Sequence, residues 1–479
     1  MGKSKIAKNY MYNLLYQVLL LVTPLITTPY ISRVLGATNV GIYGFVSSIV
    51  AYFVLFGTAG TSLYGQREIA YYQDDPEKRT KIFREIFLIR MFLISIALAV
   101  YVFAFCIDSK YILIYRLMCI EIFANMFDVS WFFQGMQDFK KTVLRNVVIK
   151  IVGIALIFAF VKTEKHLAVY TLCSSVPVLV GHLSLWPYLP RYLRREKSKL
   201  EVRSHIKPIF ALFIPQIAVE VYTVLDKTMI GTLCTDIAEV GYYTQAQKII
   251  KIALKLVTSL GVVMLPAMAL DYKNGKVDKL RESSRKSFKF MSFVGIPIML
   301  GIIGISKNFV PWFFGNGYDP VGPLMAVTAP LIVVISYSTV IGSQYLLATK
   351  QQSIYTGSVI AGSCVNFTCN MLLIPKYGAM GASISSVLAE GVVSVIQVCF
   401  TRKTIPIIQY TLDNVKYYVS AVLMLFGVLA VGNYVPASIL GTAIQIVTGA
   451  GIYFALMFVF KDEMMNMGIS VLKRKIIKH

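Results

Sequence analysis

Apolar runs of about 18 residues or more recur along this chain, and no other feature constrains its fold as strongly. A run of that length crosses roughly 30 Å of hydrocarbon as a helix, which meets every backbone donor and acceptor within itself. Strands are excluded because the runs are continuous instead of alternating apolar with polar. The composition agrees: 56% of residues are hydrophobic and 15% charged, with a mean hydropathy of +0.66. The sequence therefore predicts an all-α membrane protein of about fourteen transmembrane helices. They fall at 11–31, 40–60, 86–106, 112–133, 147–161, 167–187, 209–230, 240–270, 290–304, 323–347, 354–374, 381–400, 417–432 and 441–460.

A net charge of +23 raises the question of nucleic acid, and its placement answers it. With the N-terminus inside, the inward connections and both tails hold 34 of the 47 Lys and Arg. The outward connections hold six and the helices seven. That asymmetry is the positive-inside pattern of a multi-pass protein of the cell (cytoplasmic) membrane with both termini cytoplasmic, and the reverse orientation inverts it. The basic excess, densest in 191–207 and 273–289, is topological, with anionic lipid head groups as neighbours and no role for nucleic acid. The first apolar run is too long for a cleavable signal and reads as an uncleaved anchor. Six of the seven cysteines fall inside predicted helices, which is not a disulfide framework. The four histidines are scattered, so neither a metal nor a cofactor is expected.

The longest inward connection, about 188–208, divides the chain. The sequence predicts two pseudo-symmetric six-helix bundles, 1–200 and 201–400, followed by a C-terminal helix pair and basic tail over 401–479. Val40-Gly41-Ile42-Tyr43 opens the second helix and Val240-Gly241-Tyr242-Tyr243 the eighth, with a weaker echo at Gly378-Ala379-Met380-Gly381. Six helices separate the first two copies, so the repeat is parallel, an architecture in which two bundles rock about a central site. Prolines within helices (Pro24, Pro29, Pro177, Pro215, Pro297, Pro330) are ordinary in membrane proteins or supply bends for alternating access.

Twelve ionisable residues lie within the predicted helices: Arg90, Arg116, Lys150, Lys227, Lys248, Lys251, Lys255, Glu121, Asp128, Glu220, Asp226 and Glu390. Each costs roughly 2.5–3.5 kcal/mol at the bilayer centre on insertion scales, so each is expected to face protein or water. The eighth helix carries the clearest pattern. Thr244, Lys248, Lys251, Lys255 and Thr258 share an arc of about 80°, and Lys248 sits ~13 Å below the outer turn. Three ammonium groups on one face repel unless anions or water intervene, which a hydrated cavity receiving a phosphate group satisfies. Gln216, Glu220, Thr223 and Lys227 form a matching stripe on the seventh helix, where Glu220 is at a depth suited to pairing with Lys248. Mutual charge satisfaction is the alternative, although one carboxylate cannot neutralise three lysines. Arg90 either points inward or snorkels; Arg116 and Lys150 are near helix ends and snorkel. Glu121 and Asp128 share a face of the fourth helix and, with Glu390 in the twelfth, are candidates for coupling an ion or for buried hydrogen bonds.

Several segments resemble the polysaccharide transporters, the oligosaccharide-lipid flippases of the multidrug/oligosaccharidyl-lipid/polysaccharide exporter superfamily. They are RVLGATNVGIYG at 33–44, FGTAGTSLYGQREIA at 56–70, WFFQGMQDFK at 131–140, DKTMIG at 226–231, SQYLLATKQQ at 343–352 and KYGAMGASISSVLAE at 376–390. The resemblance implies a non-enzymatic carrier with two bundles around a central cavity. It implies as substrate a sugar repeat unit of O-antigen or capsule type on undecaprenyl pyrophosphate, with a polymerase and glycosyltransferases as partners. Cationic cavity residues are common in such proteins, and Lys248, Lys251, Lys255, Lys227, Arg90 and the carboxylate Glu220 are the candidates here. A lipid II or teichoic-type precursor flippase and a multidrug or cation exporter are the related alternatives. A membrane glycosyltransferase or polymerase is disfavoured by the short outward connections, the longest of which spans about 306–322.

Overall fold

The structure, a computed structural model, describes residues 3–194, 199–259, 261–467 and 470; the side chains of 3–16, 18, 215, 216, 218–222, 262 and 263 lie outside the described set. Among the described residues every regular element is helical, and nine helices are long and apolar enough to cross a membrane. The chain forms two compact units, 1–241 and 242–479.

The first unit comprises α1 (Lys3–Thr58), α2 (Thr61–Tyr71), α3 (Pro76–Phe105), α4 (Ile112–Met126), α5 (Ser130–Gly135), α6 (Phe139–Phe160), α7 (Leu167–Leu183) and α8 (Arg203–Leu233). The two helices predicted at 11–31 and 40–60 are joined with one non-helical residue between them, Gly36 at φ 71° and ψ 169°. A side chain is strained in that conformation, so glycine alone makes so abrupt a break inexpensive. The predicted helix 112–133 is shorter than expected: α4 stops at Met126, and Asp128 occupies the link to α5. There its carboxylate accepts the Ser130 amide at 3.0 Å, an Asx turn that competes with helix continuation.

Two of the family-like segments interlock. Gly65 of α2 lies beneath the Trp131 ring, 2.7 Å from where a Cβ would sit to the ring Cζ3. Gly135 of α5 meets the Gln66 carbonyl oxygen at 2.7 Å in the same sense. Around this seam Phe83, Trp131, Phe132, Phe133 and Ile86 form a buried aromatic and aliphatic core. Helix α8 packs on α1 through Gly231 against Phe45 and a Ser48–Thr228 hydroxyl contact of 2.9 Å.

A second glycine contact joins the repeated motifs. A Cβ on Gly41 would overlap the Ile237 carbonyl oxygen and lie 3.2 Å from the Gly241 nitrogen. A Cβ on Gly241, the last residue of this unit, would overlap the Ala37 carbonyl oxygen and lie 3.2 Å from the Gly41 nitrogen. Each glycine thus meets the carbonyl four residues before the other.

The second unit takes in most of α9 (Ala238–Thr258) and then α10 (Gly261–Lys273), α11 (Val277–Phe314), α12 (Val321–Thr328), α13 (Leu331–Ser338), α14 (Gln352–Thr401), α15 (Ile407–Asp413), α16 (Val415–Gly432) and α17 (Ile439–Val459). The predicted 240–270 helix is two helices, α9 and α10. The predicted 290–304 helix extends in both directions as the 38-residue α11. Its basic first half stays helical, aided by an i,i+4 pair of Glu282 and Lys286 at 2.6 Å. The predicted 323–347 segment is divided at Pro330 into α12 and α13 and ends in a π-helical stretch, Thr339–Leu346. Helix α14 repeats the α1 device, breaking at Gly378 (φ 55°, ψ −132°) between the predicted 354–374 and 381–400.

After α17, Asp462 is fully buried and gathers Lys416, the Tyr417 hydroxyl at 2.7 Å and the Met464 amide at 2.8 Å. Burial pushes its carboxyl up, but the Lys416 ammonium and the donated hydrogen bonds outweigh that and hold it below the usual carboxylate range. The resulting stability is fully present above the unfolded value of about 3.9 and is lost as pH falls through the lowered folded value. Asp462→Asn should therefore melt earlier than wild type at neutral pH. Thermal unfolding in detergent should show that gap narrowing below about pH 4; a gap independent of pH argues against the charged pair.

Candidate functional site

The lysine stripe lies on α9, and the structure separates that helix into two faces. Ala246, Ile250, Ala253 and Val257 are buried, with Val257 3.3 Å from where a Cβ on Gly295 of α11 would sit. At 100° per residue these four centre about 210° from Thr244, opposite the stripe. On the stripe Thr244 is buried and Lys248 half-buried, while Lys251 and Lys255 are exposed. At the start of the helix Tyr243 contacts Ser386 of α14 at 3.3 Å and Gln247 donates to the Tyr243 hydroxyl at 3.1 Å. Such a face attracts anions of the size of phosphate and cannot be buried against hydrocarbon.

Arg90 is placed differently. It is 1% exposed on α3, inside the first unit. Its Nε donates to the Asn125 carbonyl at 2.8 Å, and its Nη1 donates to Ser62 at 2.8 Å and Thr61 at 3.2 Å. Its other terminal nitrogen stands 3.7 Å from the Asp128 carboxylate. Arg145 of α6 approaches the same carboxylate at 3.7 Å, and His182 of α7 at 4.0 Å while its Nδ1 donates to the Ala124 carbonyl at 2.7 Å. One carboxylate thereby ties α3, α6, α7 and the α4–α5 link. The sequence singled out Arg90 and Asp128 separately; Arg145 and His182 were not recognised as their company.

A second buried cluster was missed altogether. The Tyr64 hydroxyl is 2.7 Å from His205 Nδ1, and His205 Nε2 is 2.8 Å from the Glu85 carboxylate. The other Glu85 oxygen accepts the Glu201 amide. Tyr64, Glu85 and His205 come from α2, α3 and the first turn of α8, each less than 9% exposed. Glu85 falls one residue before the predicted helix at 86–106, which removed it from the set of intramembrane charges.

Lys227 on α8, Glu121 on α4 and Glu390 on α14 are half-buried and on separate helices. The Glu220 side chain lies outside the described residues. No group of three His, Cys, Asp or Glu suited to a metal occurs among the described residues. In the second unit an apolar cleft of about 430 Å³ opens between α11, α16 and α17, bordered by Pro297, Gly301, Gly449 and Tyr453.

Long apolar helices, charge networks sealed between them and a cationic face left open define a multi-pass membrane transporter. Residues 6–270, more than half of the chain, match the family described as Polysaccharide biosynthesis protein, and the chain belongs to that family. It is 24% identical over 408 residues to a protein of Escherichia coli (strain K12) named "Putative O-antigen transporter", covering 84% of this chain and 98% of that one. Its fold is similar to that of a solved structure titled "Lipid II flippase MurJ, inward closed conformation", with a TM-score of 0.76 at 16% identity over 95% of this chain and 100% of that one. An inward-facing multidrug resistance MATE family transporter of the MOP superfamily is similar at a TM-score of 0.64 and 12% identity, covering 81% of this chain and 96% of that one. At these identities the structural likeness is one of fold.

Proposed function

We propose that this protein is a flippase that moves an undecaprenyl-pyrophosphate-linked oligosaccharide, the repeat unit of a surface or capsular polysaccharide, across the cytoplasmic membrane by alternating access. In this reading the chain crosses the bilayer fourteen times with both termini inside. Splitting α1 and α14 at their glycine breaks, and counting α4, α8 and α9 with the nine long apolar helices, accounts for that number. A sugar polymerase and glycosyltransferases act beside it on the same carrier lipid.

The observation that carries the reading is the open face of α9. Lys248, Lys251 and Lys255 are three cations on one face of the helix, with Lys251 and Lys255 exposed, and such a face suits a pyrophosphate in a hydrated path. Lys227 and Glu220 on α8 and Arg90 on α3 are further candidates for contact with the substrate, and Glu121, Asp128 and Glu390 are candidates for the coupling ion. The apolar cleft between α11, α16 and α17 suits the polyprenyl chain. Family membership and the name of the E. coli relative support a carrier of this kind. The MurJ-like fold favours lipid II or a similar wall precursor as the second reading.

Replacing Lys248, Lys251 and Lys255 singly with Ala is expected to lower surface polysaccharide at least tenfold for one or more positions, with Arg retaining more export than Ala. Membrane levels are measured in parallel. Normal export from all six variants at normal levels refutes the lysine assignment. Accumulation of wall precursor in place of a sugar repeat unit when the protein is depleted favours the second reading.

A further inference from the structure

Between α6 and α7 of the first unit runs a groove of about 700 Å³ that the transport reading does not use. Its walls are Leu144, Val148, Val152 and Leu156 on α6 and Val176 and Val180 on α7. Leu144, Val148, Val152 and Val180 are between 44% and 59% exposed, so a row of branched apolar side chains is left open. Gly181 forms its floor, since a Cβ there would overlap Ile149, which brings the two helices together behind the groove. From Leu144 to Leu156 the groove runs about 18 Å at 1.5 Å per residue, close to half of the roughly 30 Å hydrocarbon core.

One end of the groove is charged. Lys140, Lys141, Arg145 and Asp138 line that mouth with Tyr188, three cations against one carboxylate. Lys141 is held by Asp138 at 2.9 Å and by the Tyr192 hydroxyl at 2.7 Å, so this pair is closed on itself. The surplus charge is that of exposed Lys140, since Arg145 already faces the Asp128 carboxylate at 3.7 Å and binds the Asn146 side chain at 2.6 Å. A leaflet-long apolar trough with a net positive mouth is complementary to one kind of molecule. We propose that it binds an anionic phospholipid, with the phosphate at Lys140 and one acyl chain along α6 and α7. The leaflet is the cytoplasmic one if the orientation proposed above holds; binding itself requires only that the chain span a membrane.

Occupancy is tested by native mass spectrometry of the full chain in detergent, titrated with phosphatidylglycerol or with phosphatidylethanolamine of identical acyl chains. Wild type should retain phosphatidylglycerol at least tenfold more tightly. Lys140→Glu, at an exposed position, should remove most of that preference, with a larger loss for phosphatidylglycerol than for phosphatidylethanolamine. Val152→Trp, which fills the trough, should weaken retention of both lipids. Both variants are compared at unchanged thermal midpoint, so that a folding defect is not mistaken for lost binding. Equal retention of the two lipids by wild type, or variants that both bind as wild type does, overturns the proposal. Polysaccharide export is not the readout, so failure of the flippase reading leaves this result interpretable.

Discussion

Asp128→Ala should lower the stability of the folded protein by about 3–5 kcal/mol, the usual cost of leaving buried charge without its partner. The carboxylate faces two guanidinium groups at 3.7 Å each, and Arg90 is 1% exposed. At such separations a pair attracts by about 4 kcal/mol at an effective dielectric of 20. Distances above 3.5 Å leave the attraction coulombic, without the added strength of direct hydrogen bonds. Removing the carboxylate therefore subtracts two attractions while the guanidinium of Arg90 stays desolvated, held by one carbonyl and two hydroxyls. Asp128→Asn keeps the side-chain oxygen that accepts the Ser130 amide, so it separates the Asx turn from the charge. It should recover less than half of the loss. Thermal unfolding in detergent, with size-exclusion chromatography to exclude aggregation, measures both variants. A shift of under about 1 kcal/mol for Asp128→Ala means that water already satisfies the arginines.

The same carboxylate illustrates how far a sequence can be read. Hydrophobic runs located the long apolar helices, because apolar length is a property of contiguous residues. The lysine stripe on α9 was legible for the same reason: a helix converts spacing into a face, and Lys248, Lys251 and Lys255 are close in the chain. Partners distant in sequence were not legible. Arg90 and Asp128 were each noticed, but their pairing across 38 positions depends on how α3 meets the α4–α5 link. Asp128 was also placed on a helix that ends at Met126; the Asp-Val-Ser order at 128–130 was the local signal for a turn. His205 and Glu85 are 120 residues apart and at the edges of apolar runs, where a hydropathy reading sees the start of a connection. Extended helices were misread for the opposite reason. Charged residues on the first half of α11 resembled a loop, although Glu282 and Lys286 stabilise a helix just where the apolar pattern stops.

Gly41→Ala sets two effects against each other. Alanine in a helix interior gains about 1 kcal/mol over glycine in backbone propensity. Here the added methyl group would overlap the Ile237 carbonyl oxygen, and a backbone atom cannot rotate away as a side chain does. Overpacking of that kind costs about 1–3 kcal/mol and occasionally more, so the contact should win and the thermal midpoint should fall. Gly357→Ala on α14 is the matched control, since nothing lies within 4 Å of its Cβ position; it should be neutral or stabilising. Gly241→Ala should cost as much as Gly41→Ala, because its methyl meets the Ala37 carbonyl oxygen in the reciprocal manner. The decisive comparison is the double variant. A small separation of the two backbones relieves both overlaps at once, so the pair should cost clearly less than the sum of the single changes. Additivity within about 0.5 kcal/mol means that the two glycines meet independent obstacles and that the matching Val-Gly-x-Tyr motifs do not act as one contact.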